Sequence, residues 1–473
     1  MSVHPIEEII HPRTIAVAGA SDSGRGGGFV SPLLELGFKG AIYPVNPKYD
    51  TVSGFKAYAR IRDIPGPVDY VISSIPATHI LELIDDCVEK KVKGVHLFTA
   101  RFSETGRKDA AELEREVLRR ARAGNVRLIG PNCMGLYYPE ERIAFNEGMP
   151  RETGTVGLAS QSGQVVGEIV GFAGQRGVRF SKAFSYGNAL DFNECDYLEY
   201  FTQDPKTDVI LMYIEGARDG QRFAKALKEA AAVKPVVILK GGRGSAGTRA
   251  TASHTASLAG SLKIWESTVR QAGAIYVTDI EELVDVAVSL NFAPPITGRN
   301  AAVAGGSGGS SVQAADQCEE AGLRVIPLPQ DIRDELKAQG SPIWDWIGNP
   351  ADFSIAMGDE TIGTVLMRMM AQHPAFDLLI MFVHGPWRRT GREFDLDKHM
   401  ESYNLSGVTR KPVIAVYADR PRSLDEKEAA WYQNISNQIE ERLLAAGLPV
   451  YPNVGRAARA ASRIVGYYER RPQ

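Results

Sequence analysis

The sequence predicts an α/β protein of doubly wound parallel sheets, and three observations carry that prediction. Short apolar runs of strand length alternate with stretches of helical apolar spacing along the 473 residues. Several runs end in turns rich in glycine and serine that open a helix, as at residues 19–28, 161–163 and 305–309. The composition, 44% hydrophobic and 23% charged, belongs to a globular chain, and its length allows about three domains of ordinary size.

The balance of 54 basic against 57 acidic side chains gives no electrostatic ground for nucleic acid or an anionic membrane as a partner. Cys87, Cys133, Cys195 and Cys318 are widely spaced and form no CxxC pair. Neither a metal site nor a disulfide framework is expected, and the chain reads as reduced and cytoplasmic. The amino terminus has no basic segment followed by an apolar core, and no run of about eighteen apolar residues occurs, so neither secretion nor membrane insertion is expected.

Within residues 1–145, strands are predicted at 15–19, 41–45, 70–75, 95–98 and 126–128, with a helix at 29–36 after the first turn. This is a Rossmann-like unit, whose glycine-rich turn is expected to hold a phosphate or pyrophosphate at the helix amino terminus. NAD sites usually end the second strand with Asp or Glu, but here it ends in Val45-Asn46-Pro47-Lys48. A cation there suits an extra phosphate and places NADP or coenzyme A ahead of NAD. The later strand ends, Ser73-Ser74-Ile75-Pro76, Thr99-Ala100-Arg101-Phe102 and the turn 130–135, line the same crevice and by themselves are turn punctuation.

A charged turn at 139–142 and the stretch 146–154 lead into a second region with strands at 155–160, 179–185, 208–214 and 234–240. Gln161-Ser162-Gly163 offers backbone N–H groups and hydroxyls to an anion ahead of a helix at 164–174, and Ser162 also serves as its N-cap. Tyr186-Gly187-Asn188 and Glu215-Gly216 close the next two strands. The last strand runs into KGGRGSAGTRATASHTASLAGS at 240–261, expected as a loop around His254 beyond a strand's carboxyl end, followed by a helix at 258–273. So many glycines suit a flexible lid or an anion cradle. Residues 294–300 read as a linker to a third α/β region, with strands at 301–305, 378–383 and 413–417 and a long helix at 423–446.

GAS at 19–21, YPVNPK at 43–48 and GPNCMG at 130–135 stand at the offsets of the coenzyme A-binding domain of the succinyl-CoA synthetase superfamily. The chain resembles the NDP-forming acyl-CoA synthetases, typified by the ADP-forming acetate–CoA ligases. SQSG at 160–163, GN at 187–188, YIEG at 213–216, KPVVILKGGR at 234–243 and SHTASLAGS at 253–261 follow in that family's order. Gly305-Gly306 and NPAD at 349–352 match its third domain more loosely. Two departures stand out: SDSGRGGGF at 21–29 is richer in glycine, and SPIWDWIGNP, with Trp344 and Trp346, is read as a specialised substrate or subunit contact.

The resemblance implies a Rossmann-like coenzyme A-binding domain at 1–145, a flavodoxin-like ligase domain at 146–295 with a phosphohistidine loop, and another flavodoxin-like ligase domain at 298–473. It implies coenzyme A against Gly19, Ala20, Ser21, Val45, Asn46, Lys48, Ser74, Ile75, Pro76, Asn132 and Met134. Phosphate falls to Ser160, Gln161, Ser162, Gly163, Gly187 and Asn188, and the phosphorylated residue to His254, steadied by Glu215. Neutral imidazole is a good nucleophile toward an acyl phosphate, and a carboxylate on its second nitrogen fixes the tautomer and stabilises the cation formed. The family also uses an ATP-grasp module, for which no stretch of this sequence is left, and there is no lysine-bearing P-loop. The expectation is therefore an alpha subunit acting on a small carboxylic acid or acyl-CoA in a hetero-oligomer. A separate ATP-grasp beta subunit would hold ATP or ADP and Mg2+. A coenzyme A-binding regulatory module is the alternative, against which the presence of His254 and Glu215 argues; an NADP oxidoreductase leaves the second and third regions unexplained.

Overall fold

Runs such as TIAVA, YVIS and VVILK, apolar at nearly every position, form strands that are buried on both faces, which only a sheet covered on both sides allows. The computed structural model describes residues 3–22, 28–255, 261–356, 360–385, 394–405, 407–417 and 425–471. The chain divides into two compact units, 1–283 and 284–473, the first of which contains two large sheets and the second one.

The first sheet draws on β1 (Thr14–Ala18) and β2 (Ala41–Val45), then, past a small antiparallel ribbon of β3 (Thr51–Val52) and β4 (Phe55–Lys56), on β5 (Tyr70–Ser73), β6 (Gly94–Leu97) and β7 (Arg127–Ile129). Its order is β2-β1-β5-β6-β7, all parallel. The winding reverses between β1 and β5, so a crevice opens at their carboxyl ends. Residues 23–27 of the glycine-rich turn lie outside the described residues.

The second sheet comprises β8 (Gly135–Tyr137), β9 (Val156–Ser160), β10 (Phe180–Ser185), β11 (Val209–Ile214), β12 (Val236–Lys240) and β13 (Ile275–Val277), in the order β13-β12-β11-β9-β10-β8. It is parallel except for β8, which runs antiparallel to β10. The turn 130–134 thus passes directly from the last strand of one sheet to an edge strand of the next. Here the winding reverses between β9 and β11, placing Gln161 and Glu215 side by side.

The structure corrects the expected loop around His254: residues Ser245–Thr255 form a helix. The glycines concentrate at 241, 242 and 244, ahead of it, while Ala246, Ala250 and Ala252 supply the best helix formers within it. Residues 256–260 lie outside the described residues, and the following helix spans Leu262–Gln271 rather than beginning at 258.

The third sheet, in the second unit, has β14 (Ala301–Gly306), β15 (Ala351–Asp352), β16 (Leu378–Phe382), β17 (Val413–Val416) and β18 (Val450–Tyr451), in the parallel order β15-β14-β16-β17-β18. Asn349 extends the β14 edge with its side chain, accepting from Val303 N at 2.9 Å and donating to Ala301 O at 2.9 Å and Ile326 O at 2.8 Å. Trp344 packs on this core with Lys337 Nζ 4.4 Å from its ring centroid, whereas Trp346 is 54% exposed. The division between the compact units, after residue 283, falls inside the helix Ile280–Phe292. Within the second unit, Asp285 accepts from Arg456 Nε at 2.6 Å and Nη2 at 2.8 Å, and Tyr451 OH donates to Asp285 O at 2.6 Å. Among the described residues no helix is long and apolar enough to cross a membrane.

Candidate active site

At the crevice of the first sheet, Gly19 takes φ +89, and a Cβ there would stand 2.6 Å from Ser74 Oγ, so no other residue fits this turn without displacing its neighbour. Gly19 N donates to Val45 O at 2.8 Å, Ser74 N to Ala18 O at 2.9 Å, and Asn46 Nδ2 to Ala20 O at 2.8 Å. These bonds bring the ends of β1, β2 and β5 together, with Ser21, Ser74 and Ile75 part-exposed and Lys48 and Pro76 exposed at the rim. Thr99 Oγ1 donates to Ile75 O at 2.9 Å, and Asn132 N to Thr99 O at 3.0 Å, which adds the ends of β6 and the 130–134 turn. Buried His96 braces that turn, donating from Nε2 to Cys133 O at 3.0 Å; burial pushes its pKa down to about 4, leaving it a neutral support. The residues expected to meet coenzyme A thus share one edge. A close-approaching backbone, amide and hydroxyl donors and a rim lysine fit a phosphate-bearing ligand.

The second sheet presents a tighter set of turns. Ser160, Gln161 and Ser162 are buried, and Ser162 Oγ caps the helix Gly163–Gln175 by accepting from Val165 N at 3.4 Å. Gln161 reaches across the switch point, where its Oε1 accepts from the N–H groups of Glu215 and Gly216, the latter at 3.0 Å. Glu215 is 2% exposed, and Tyr213 OH donates to its Oε1 at 3.3 Å. Lys240, also buried, donates from Nζ to Glu215 O at 2.7 Å and to Gly241 O. Burial, countered only in part by the Glu215 carboxylate, pushes its pKa down to about 8. Lys240 ends β12, and the helix that carries His254 follows five residues later.

Asn188 ties the two sheets together. Its N–H donates to Pro131 O at 3.0 Å, its Nδ2 to Glu104 Oε2 at 2.7 Å, and Asn132 Nδ2 donates to its Oδ1 at 3.5 Å. Gly187 beside it takes φ +52 and has no room for a Cβ, which would run into the Pro131 carbonyl. Met134 N donates to Ser185 Oγ at 3.0 Å, and a Cβ on Gly163 would lie 2.8 Å from Met134 Cγ. The Asn188 amide is therefore engaged between the sheets. Sequence reasoning missed Glu104, Glu194, Arg218 and Lys240. Glu194 is fully buried and accepts from Arg218 N at 2.8 Å, while Arg218 Nη2 donates to Asn188 O at 2.6 Å. Glu104, Glu194 and Arg218 stand in no turn of unusual composition; a charged residue closing an apolar run ahead of glycines, as at Lys240, was the one available signal.

Comparison with known proteins fits this arrangement. Residues 13–139 match the CoA binding domain, and residues 153–290 match the succinyl-CoA ligase like flavodoxin domain. Over 471 residues, 97% of each chain, the sequence is 33% identical to the ADP-forming acetate–CoA ligase II subunit alpha of Pyrococcus furiosus. The chain belongs to the ADP-forming acetate–CoA ligase family. Within this family it is 38% identical over 336 residues to the ADP-forming acetate–CoA ligase I of Archaeoglobus fulgidus, a match that takes in 70% of this chain and 48% of that relative. The chain thus spans about half the length of that relative, but nearly all of the Pyrococcus alpha subunit. Its fold superposes with a TM-score of 0.81 and 29% identity on a chain of the dinucleotide forming acetyl-coenzyme A synthetase 1 of Ca. Korarchaeum cryptofilum, solved with phosphate and ADP; 98% of this chain and 97% of that one are covered.

Proposed function

We propose that the chain is the alpha subunit of an ADP-forming acyl-CoA synthetase that interconverts acyl-CoA, ADP and phosphate with carboxylic acid, ATP and coenzyme A. The observation that carries this reading is the meeting of two carboxyl edges. The crevice that fits a phosphate-bearing nucleotide and the turns around Gln161, Gly187 and Glu215 are joined through Asn188. Coenzyme A would lie against Gly19, Ala20, Ser21, Val45, Asn46, Lys48, Ser74, Ile75, Pro76, Asn132 and Met134. Phosphate would lie at Ser160, Gln161, Ser162, Gly163, Gly187 and Asn188. A phosphate oxygen attacks the thioester carbonyl, the thiolate leaves, and backbone N–H groups at the turn hold the charge that develops. An imidazole nitrogen of His254 then attacks phosphorus, the carboxylate leaves, and Glu215 stabilises the imidazolium. The phosphoryl group passes to ADP, which with Mg2+ belongs to a separate ATP-grasp subunit of the hetero-oligomer. Four buried, free cysteines suit a reducing cytoplasm.

The test is phosphoryl transfer to His254. Incubated with acetyl-CoA and labelled phosphate, the full chain is expected to take up acid-labile, base-stable label. His254→Ala should carry none while binding coenzyme A normally in calorimetry, and Glu215→Gln should slow labelling by about two to four orders of magnitude. Label of that kind on the His254→Ala protein would exclude this histidine as the acceptor.

A further inference from the structure

Glu104 stands where three loops meet. It lies in the short turn Ser103–Thr105, past the carboxyl end of β6. One oxygen, Oε1, accepts from the N–H of Arg101 and from Phe102 N at 3.1 Å; the other, Oε2, accepts from Phe102 N at 3.0 Å and from Asn188 Nδ2 at 2.7 Å. The backbone it clamps is unusual, since Arg101 is held at φ +80, a left-handed conformation that an arginine rarely takes without outside support. The residue it reaches is the bridge between the sheets, and the Asn188 carbonyl is bound in turn by Arg218, three residues beyond Glu215. The turn Ser103–Thr105 also packs against the helix Ser245–Thr255, on which His254 lies.

We propose that Glu104 is a positioning residue that couples coenzyme A on the first sheet to the phosphate turn of the second, an inference that rests on the ligand assignments above. A ligand that shifts the backbone at 99–102 moves the Glu104 carboxylate, because that carboxylate is bonded to two N–H groups of the segment. The motion reaches Asn188 through the shorter of the two charge-assisted hydrogen bonds that its Nδ2 makes, 2.7 Å to Glu104 against 3.4 Å to Glu114, and from there the Arg218 end of the Glu215 turn. Coupling of this kind is reciprocal: each ligand changes the affinity of the other by the same factor.

Glu104→Gln separates the two halves of the clamp. The amide keeps one carbonyl oxygen for the Arg101 and Phe102 N–H groups but places an NH2 donor where Asn188 Nδ2 now donates. Coenzyme A and inorganic phosphate cannot react with each other, so each can be titrated calorimetrically into the full chain with and without the other. The wild-type chain is expected to show mutual tightening of about fivefold or more, within the usual range for coupled sites. Glu104→Gln should bring that factor to within about twofold of unity while changing the affinity for coenzyme A alone by no more than about threefold. A variant that keeps the wild-type factor, or that loses both ligands outright, overturns the inference. A wild-type chain that binds both ligands independently overturns this inference alone, whereas one that binds neither overturns the function on which it rests.

Discussion

Replacing Lys240 by Met removes a buried cation from behind Glu215 and leaves a side chain of similar volume. Two carbonyls, Glu215 O and Gly241 O, would lose their ammonium donor. Hydrogen bonds to a charged group contribute about 1.5–3 kcal/mol each, so about 3–6 kcal/mol is at stake. The opposing quantity is the cost of keeping an ammonium there. A pKa pushed from 10.5 to about 8, chiefly by burial, corresponds to about 3 kcal/mol. The difference, about 0–3 kcal/mol, predicts that Lys240→Met folds, with a Tm lowered by at most about 10 °C. Labelling of His254 by acetyl-CoA and phosphate should nevertheless fall at least about tenfold, because a displacement of about 1 Å in a supporting group can cost a hundredfold. Lys240 also gives the pH dependence a sign. Between about pH 8 and 10.5 the unfolded chain carries a proton on this residue that the folded chain has released. Its penalty on the fold is therefore full below that window and is relieved as pH rises through it, a slope that the Met variant should lack. Thermal denaturation and quenched-flow labelling check both parts. A Met variant that fails to fold, or one that labels at the wild-type rate, would refute the reasoning.

Gly19→Ala must accommodate a Cβ at φ +89 beside Ser74 Oγ, and is expected to cost about 1–3 kcal/mol of stability and at least about tenfold in coenzyme A affinity; unchanged affinity in calorimetry would place the ligand elsewhere. Asp191, its carboxylate fully buried, accepts from Arg122 Nη2 at 3.0 Å, Arg127 Nε at 2.8 Å and Leu128 N at 3.0 Å. Asp191→Ala should therefore lower stability in chemical denaturation by about 2–4 kcal/mol, and a loss below about 1 kcal/mol would mean that these donors find other partners. For His11, burial lowers the pKa, but hydrogen bonds to Glu141 at 2.6 Å and Glu7 at 3.0 Å outweigh it and raise the value overall. Its contribution is full below the ordinary histidine range and lost as pH rises through the raised value. The Tm deficit of His11→Gln should accordingly be larger near about pH 5.5 than near about pH 8.5, and equal deficits would count against the assignment.

Strands were legible because burial on both faces of a parallel sheet leaves unbroken apolar runs. Residues 41–45 coincide with β2, and 155–160, 208–214 and 413–417 differ from β9, β11 and β17 by one residue at an end. The tight turns at strand ends were legible for a related reason, since a backbone that must turn sharply beside a neighbouring chain selects glycine, as at Gly19 and Gly187. Composition misled at 240–261, where glycines before the helix masked the alanine-rich segment that forms it.

By itself the sequence determined the α/β class and the glycine turns at strand ends. Each of those follows from local spacing. Only the tertiary structure decided that β8 leaves the first sheet to edge the second, that Gln161 and Glu215 face each other across β9 and β11, and that Asn188 and Glu104 join the two edges. The strands and turns involved are separated by tens of residues, 54 between Gln161 and Glu215 and 84 between Glu104 and Asn188. Their hydrogen bonds depend on sheet order and winding, and neither leaves a periodic trace in the amino acids that form it.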